Sequence, residues 1–271
     1  MSARAASRRW TQEEVRRVLA LYLLTPFGQL HARNPAVIKL ADELGRTPSA
    51  VALKACNLAA LDDSLPRKGM ANASRADRQV WRDFLDHPAS MAAAFSSLPG
   101  MTGGGGEAVE GFAEGEGRLP AAGREDNVAP LEPPPEAGGE RTAVIARRIG
   151  QDFFRRMILI SYDHRCALTG IDDKRLLIAS HIVAWKEAPQ WRMHPQNGLC
   201  LNALHDRAFD RCLITFDEDY RLVMADDVPS EARRQLQRAA SRLNMPKRFL
   251  PKQEFLEHHR RKFHARLRGG G

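Results

Sequence analysis

Residues 97–140 constrain this chain more than any other feature, because they cannot form part of a packed core. They hold 11 of the 20 glycines and 6 of the 16 prolines, among them Gly103 to Gly106 and Pro133 to Pro135. Nine acidic residues stand there against Arg118 and Arg124. A stretch of that composition buries too little apolar surface to offset the entropy of ordering it, so it reads as a flexible linker. The chain is therefore expected to fold as two regions, 1–96 and 141–271. The linker carries −7 and the whole chain +8, which leaves +15 on the rest. Folded parts that basic point to a polyanionic partner.

Composition excludes other classes. The longest apolar runs, such as Met157 to Ile160, are far shorter than the ~20 residues needed to span a bilayer. The first residues are basic and show no apolar segment of a secretory leader, so the expected location is the cytoplasm. Cys56, Cys166, Cys200 and Cys212 form no CxxC pair, so they are expected to be reduced and structural.

The first region reads as helical. Thr11 and Glu14 have capping-box spacing, and Val15, Leu19, Tyr22 and Leu23 follow at helical intervals. Asn34-Pro35 opens a second helix that stops at Gly45, and Thr47-Pro48 opens a third. Ala41, Gly45 and Val51 have the spacing of a helix-turn-helix: a small residue, a glycine for the left-handed turn and an apolar wedge. On that reading Ser49, Ala50, Lys54 and Asn57 face a DNA major groove, and Arg46 and Thr47 contact phosphate. Leu65 to Met70 is expected to form a basic wing, and a further helix starts near Ser74.

The second region carries an ordered set of polar residues. A helix with Gln151, Phe154 and Arg155 ends near Tyr162, and Arg165, Cys166, Thr169 and Gly170 read as a short strand and turn. A buried strand, Leu176 to Ser180, delivers His181. Asn197-Gly-Leu-Cys-Leu201 follows, then a short helix from Asn202 with His205, Phe209 and Asp210. Leu213 to Phe216 and Tyr220 to Met224 read as a β-hairpin.

Across about 142–225 this order resembles the HNH nucleases, closest to the branch of predicted bacterial restriction endonucleases. The resemblance implies a ββα-metal fold, hence an α+β protein overall with a winged helix-turn-helix-like module in front. It implies a DNA endonuclease in which His181 is the general base, since imidazole titrates near neutrality. Asn197 would fix the loop, and His205 would hold one divalent ion, Mg²⁺ or Mn²⁺. Arg155 and Arg207 are candidates for phosphate contact. The implied partner is double-stranded DNA, with modified bases in the modification-dependent restriction enzymes, and a homodimer where both strands are cut.

Two departures stand out. Many such nucleases place Asp or His directly before the base, where this chain has Ser180. Paired cysteines that hold structural zinc in related proteins read here as Cys166-x-x-Thr169 and Cys200-x-x-Ala203, so no structural zinc is expected. The rival readings are a DNA-binding regulator with a degenerate HNH scaffold and a structure-specific nuclease of a mobile element. His194, Trp185 and Trp191 read as packing residues. The tail 241–271 has nine basic residues, with Leu256, His259, Phe263 and Leu267 as one helical stripe.

Overall fold

The computed structural model describes residues 8–63, 65, 72–98, 137–238 and 240–269. Positions 66–70 of the expected wing and 99–136 of the expected linker lie outside the described residues. Helix α1 (Gln12–Leu23) starts at a complete capping box, Thr11 accepting from the Glu14 amide and Glu14 from the Thr11 amide. Helix α2 (Pro35–Leu44) is capped by Asn34 and ends at Gly45, whose φ of 60° is the left-handed turn that glycine allows. Helices α3 (Pro48–Ala59) and α4 (Arg75–Asp86) begin at Thr47 and Ser74, and α5 (Ala92–Ser96) closes the region. Val15, Val18, Leu19, Tyr22 and Leu23 of α1 are buried among α3, α4 and α5 with Val51, Leu58, Phe84 and Phe95.

The orientation of α3 corrects the sequence reading. Lys54 and Asn57, expected to face DNA, are 6% and 9% exposed, while Leu53 beside them is 48% exposed. Helix α4 covers that face, because Asp77 accepts two hydrogen bonds from Lys54 Nζ at 2.9 and 3.0 Å. A buried lysine is tolerated only with such a partner, so the ion pair sets the helix phase. Ala41 and Val51 are fully buried around the Gly45 turn, as their spacing predicts.

Helix α6 (Ala137–Ser161) starts a few residues inside the expected linker and carries Phe153, Phe154, Met157 and Ile158 into the core. Cys166 to Gly170 is a turn without the expected strand: the Gly170 amide donates back to the Cys166 carbonyl, and Gly170 has φ of 72°. Strands β1 (Leu177–His181) and β2 (Gly198–Asn202) pair antiparallel, with His181 opposite Gly198. Helix α7 (Ala203–Asp210) packs on the same hairpin. A second two-stranded sheet, β3 (Ile214–Phe216) and β4 (Leu222–Met224), is followed by α8 (Ser230–Gln237) and α9 (Gln253–Gly269). In α9 Leu256, His259 and Phe263 are buried as one stripe, whereas Leu267 is 38% exposed. The described chain is thus α+β, with two small sheets among helices. None of its helices is long and apolar enough to cross a membrane.

Described residues on the two sides of 99–136 touch directly. Phe95 stacks on Phe153, Trp81 stacks on Phe249, and Arg248 donates to the carbonyls of Tyr22 and Leu23.

Gly198 sets how closely α6 approaches the hairpin. A Cβ there would lie 2.5 Å from Ile158 Cδ1 and 2.7 Å from Phe154 Cζ. Gly198→Ala is therefore expected to destabilise the protein by about 1–3 kcal/mol through overpacking. Urea denaturation measures this, and an unchanged midpoint would show that α6 yields freely.

Candidate active site

Strand β1 ends in His181, whose ring is clamped from two directions. It stacks on Phe154 of α6 with centroids 3.8 Å apart and meets the Trp185 ring edge-on at 5.5 Å. Its Nε2 lies 2.9 Å from the Arg192 carbonyl. A carbonyl only accepts, so Nε2 carries the proton and the lone pair sits on Nδ1. Burial pushes the His181 pKa down to about 4; the nearby Arg192 cation adds to this and the hydrogen bond to its carbonyl opposes it. At neutral pH the ring is an uncharged, oriented proton acceptor.

Asn197, 1% exposed, ties together the loop that supplies that carbonyl. Its Oδ1 accepts from the Val183 amide at 2.8 Å, and its Nδ2 donates to the Val183 and Trp191 carbonyls at 3.1 Å each. Arg192 Nε donates to the Trp185 carbonyl at 2.7 Å, closing the same loop from its other side. Trp191 packs against Phe255, and the buried His194 meets the same ring edge-on.

His205 stands apart from this arrangement. It is 1% exposed, with Nδ1 3.0 Å from Asn202 Oδ1 and Nε2 3.2 Å from the Leu236 carbonyl at the end of α8. Asn202 also accepts the His205 amide and donates to Thr169, while its own amide reaches Cys166 Sγ. In this arrangement His205 joins α7 to α8 and presents no lone pair to an open space, which corrects its expected projection toward a cation. Among the described residues no three His, Cys, Asp or Glu side chains converge at metal-ligand spacing. Among the described residues, His205 therefore belongs to no ready-made set of three metal ligands.

The other expected contacts are also engaged. Arg155 donates to the Leu177 and Lys174 carbonyls, bracing the start of β1, and Arg207 lies near Asp210 on the surface of α7. In the first region Arg46 is paired with Glu14 at 2.9 Å and its guanidinium lies 3.8 Å over the Trp10 ring. Thr47 caps the Ala50 amide, and Thr47 and Ser49 are exposed. Sequence reasoning missed Asp206, whose carboxyl accepts from Ser180 next to His181 and whose pKa burial raises. It also missed Arg192, because a backbone carbonyl leaves no signature in residue type.

Three imidazoles, His181, His194 and His259, are pushed by burial to about 4. In the unfolded chain each titrates near its ordinary 6.5. Between those values the unfolded state binds more protons, so stability is full above about pH 6.5 and falls as the pH drops toward 4. Urea midpoints taken across this range are expected to decline steadily. His259→Phe is expected to flatten the decline, since it replaces a buried titrating imidazole with a ring that binds no proton. A midpoint independent of pH would contradict the burial of these rings.

No curated protein matches the chain. Residues 166–217 match a family model described as HNH endonuclease, and that stretch contains His181, Asn197 and His205.

Proposed function

We propose that the protein is an endonuclease that hydrolyses phosphodiester bonds in double-stranded DNA, with His181 as the general base. The observation that carries this reading is the imidazole of His181, fixed by the Arg192 carbonyl and the Phe154 stack inside the segment that matches the nuclease family. In that role Nδ1 takes the proton of the attacking water, and the stacked Phe154 and the edge of Trp185 prevent the ring from rotating away. Asn197 acts as a positioning residue: its three hydrogen bonds set the loop on which the Arg192 carbonyl sits. His205 has a positioning role too, anchoring α7 beneath the hairpin.

The expected Mg²⁺ or Mn²⁺ belongs to this reading as a requirement to be measured, and no step is assigned to it. Restriction of foreign DNA, dependence on a modified base and action as a homodimer are the finer proposals. Nicking of plasmid with each metal and with chelator, by wild type and by His181→Ala, tests the activity. Matched unmodified, 5-methylcytosine, 5-hydroxymethylcytosine and N6-methyladenine DNA tests the base requirement.

A second reading, a DNA-binding regulator on a degenerate scaffold, is favoured by the closed environment of His205 and by Ser180 before the base. Tight DNA binding without nicking under any metal would select it.

A further inference from the structure

The burial of Lys54 and Asn57 removes the expected DNA-reading face of α3, yet the first region keeps another basic surface. A groove of about 750 Å³ lies between Arg9, Trp10 and Gln12 on one side and Ser74, Arg75, Ala76 and Gln79 on the other, with Lys54 at its floor. We propose that this groove binds the phosphate backbone of a DNA strand at a site separate from His181. This rests on the nuclease reading only for the identity of the polyanion.

The groove is built from fixed parts. Arg46 donates to the backbone carbonyls of Arg8 and Arg9 and pairs with Glu14, so the residues before α1 are pinned to the turn between α2 and α3. Its guanidinium covers a face of Trp10, which holds the indole as a wall of the groove. Lys54 is neutralised by Asp77 and adds donors without net charge. The start of helix α4 is already closed by its Ser74–Asp77 capping box, in which the Asp77 amide donates to Ser74 Oγ.

The attraction therefore rests on Arg9 and Arg75. Both are exposed, and neither has an ion-pair partner among the described residues. Among the described residues no acidic side chain lines the groove. Two guanidiniums with no counter-charge among the described residues, facing a cleft of nucleotide size, suit successive phosphates rather than an apolar ligand.

The test is binding of a short fluorescent duplex to the full-length chain, followed by anisotropy across a salt series. Arg9→Gln with Arg75→Gln is expected to weaken binding about tenfold and to lower the slope of log K against log salt by about 2, one for each lost phosphate contact. Both side chains are exposed, with no ion-pair partner among the described residues, so the thermal midpoint should stay unchanged. An unaltered affinity and slope would overturn the proposal. So would inorganic tripolyphosphate competing as well as unlabelled duplex at equal phosphate concentration, since that marks a small-anion site. Nicking by His181→Ala separates the two ideas. Weakened binding in the arginine variant together with undiminished nicking by His181→Ala leaves the groove standing and removes the catalytic reading. Lost nicking with unaltered binding does the reverse.

Discussion

Replacing His181 with alanine is expected to slow DNA nicking by about 10²–10⁴-fold, the range that a positioned general base supplies. The fold should tolerate the change, because the ring lies at the end of β1 with one hydrogen bond and the Phe154 stack. A far-ultraviolet spectrum matching wild type would establish that. His181→Gln makes a stricter control: its amide can keep the bond to the Arg192 carbonyl but cannot take a proton at neutral pH. Both variants should therefore be inactive while DNA binding stays near wild type. Activity in His181→Gln close to wild type would assign His181 a packing role and return the search for the base to other groups. Asp206 would be examined first, since its carboxyl lies beside Ser180 with a raised pKa.

Asp77→Asn is expected to cost about 3–5 kcal/mol, because it leaves the nearly buried Lys54 ammonium without its counter-charge. The two side chains are 6% and 0% exposed and meet at 2.9 Å. Asp77 also accepts the Ser74 amide in the α4 capping box, a bond that an asparagine oxygen can keep and a leucine cannot. The double variant Lys54→Met with Asp77→Leu removes both charges and should recover most of the loss, leaving mainly the cap. Urea denaturation of Lys54→Met, Asp77→Leu and the double variant forms a cycle. Additive losses would show that the charges act independently and that α4 is held over α3 by apolar contact alone.

The helix starts could be read from sequence because each is written within four residues: Thr11 with Glu14, Asn34 with Pro35, Thr47 with Pro48, Ser74 with Asp77. The order of His181, Asn197 and His205 was readable for the same reason, as a short series on a hairpin and one helix. What could not be read depends on distant partners. Lys54 looks like a solvent-facing lysine until Asp77 is folded onto it from 23 residues away. His205 looks like a ligand until the Leu236 carbonyl closes over it from α8. The turn at Cys166 to Gly170 resembled a strand because Cys-Ala-Leu is an apolar run, yet Gly170 ends it before a ladder can form.

The guanidinium of Arg248 has a consequence for any attempt to divide this molecule. Helix α1 has no basic residue in its last turn, so its carbonyl end lacks a cation of its own. Arg248 supplies one from the far end of the sequence, buried and donating to the Tyr22 carbonyl at 2.8 Å. Excising residues 137–269 for transplantation would thus leave an orphaned positive charge in one fragment and a frayed helix in the other. The two halves are joined by that side chain as well as by the covalent chain, and they are expected to be inherited, expressed and unfolded together.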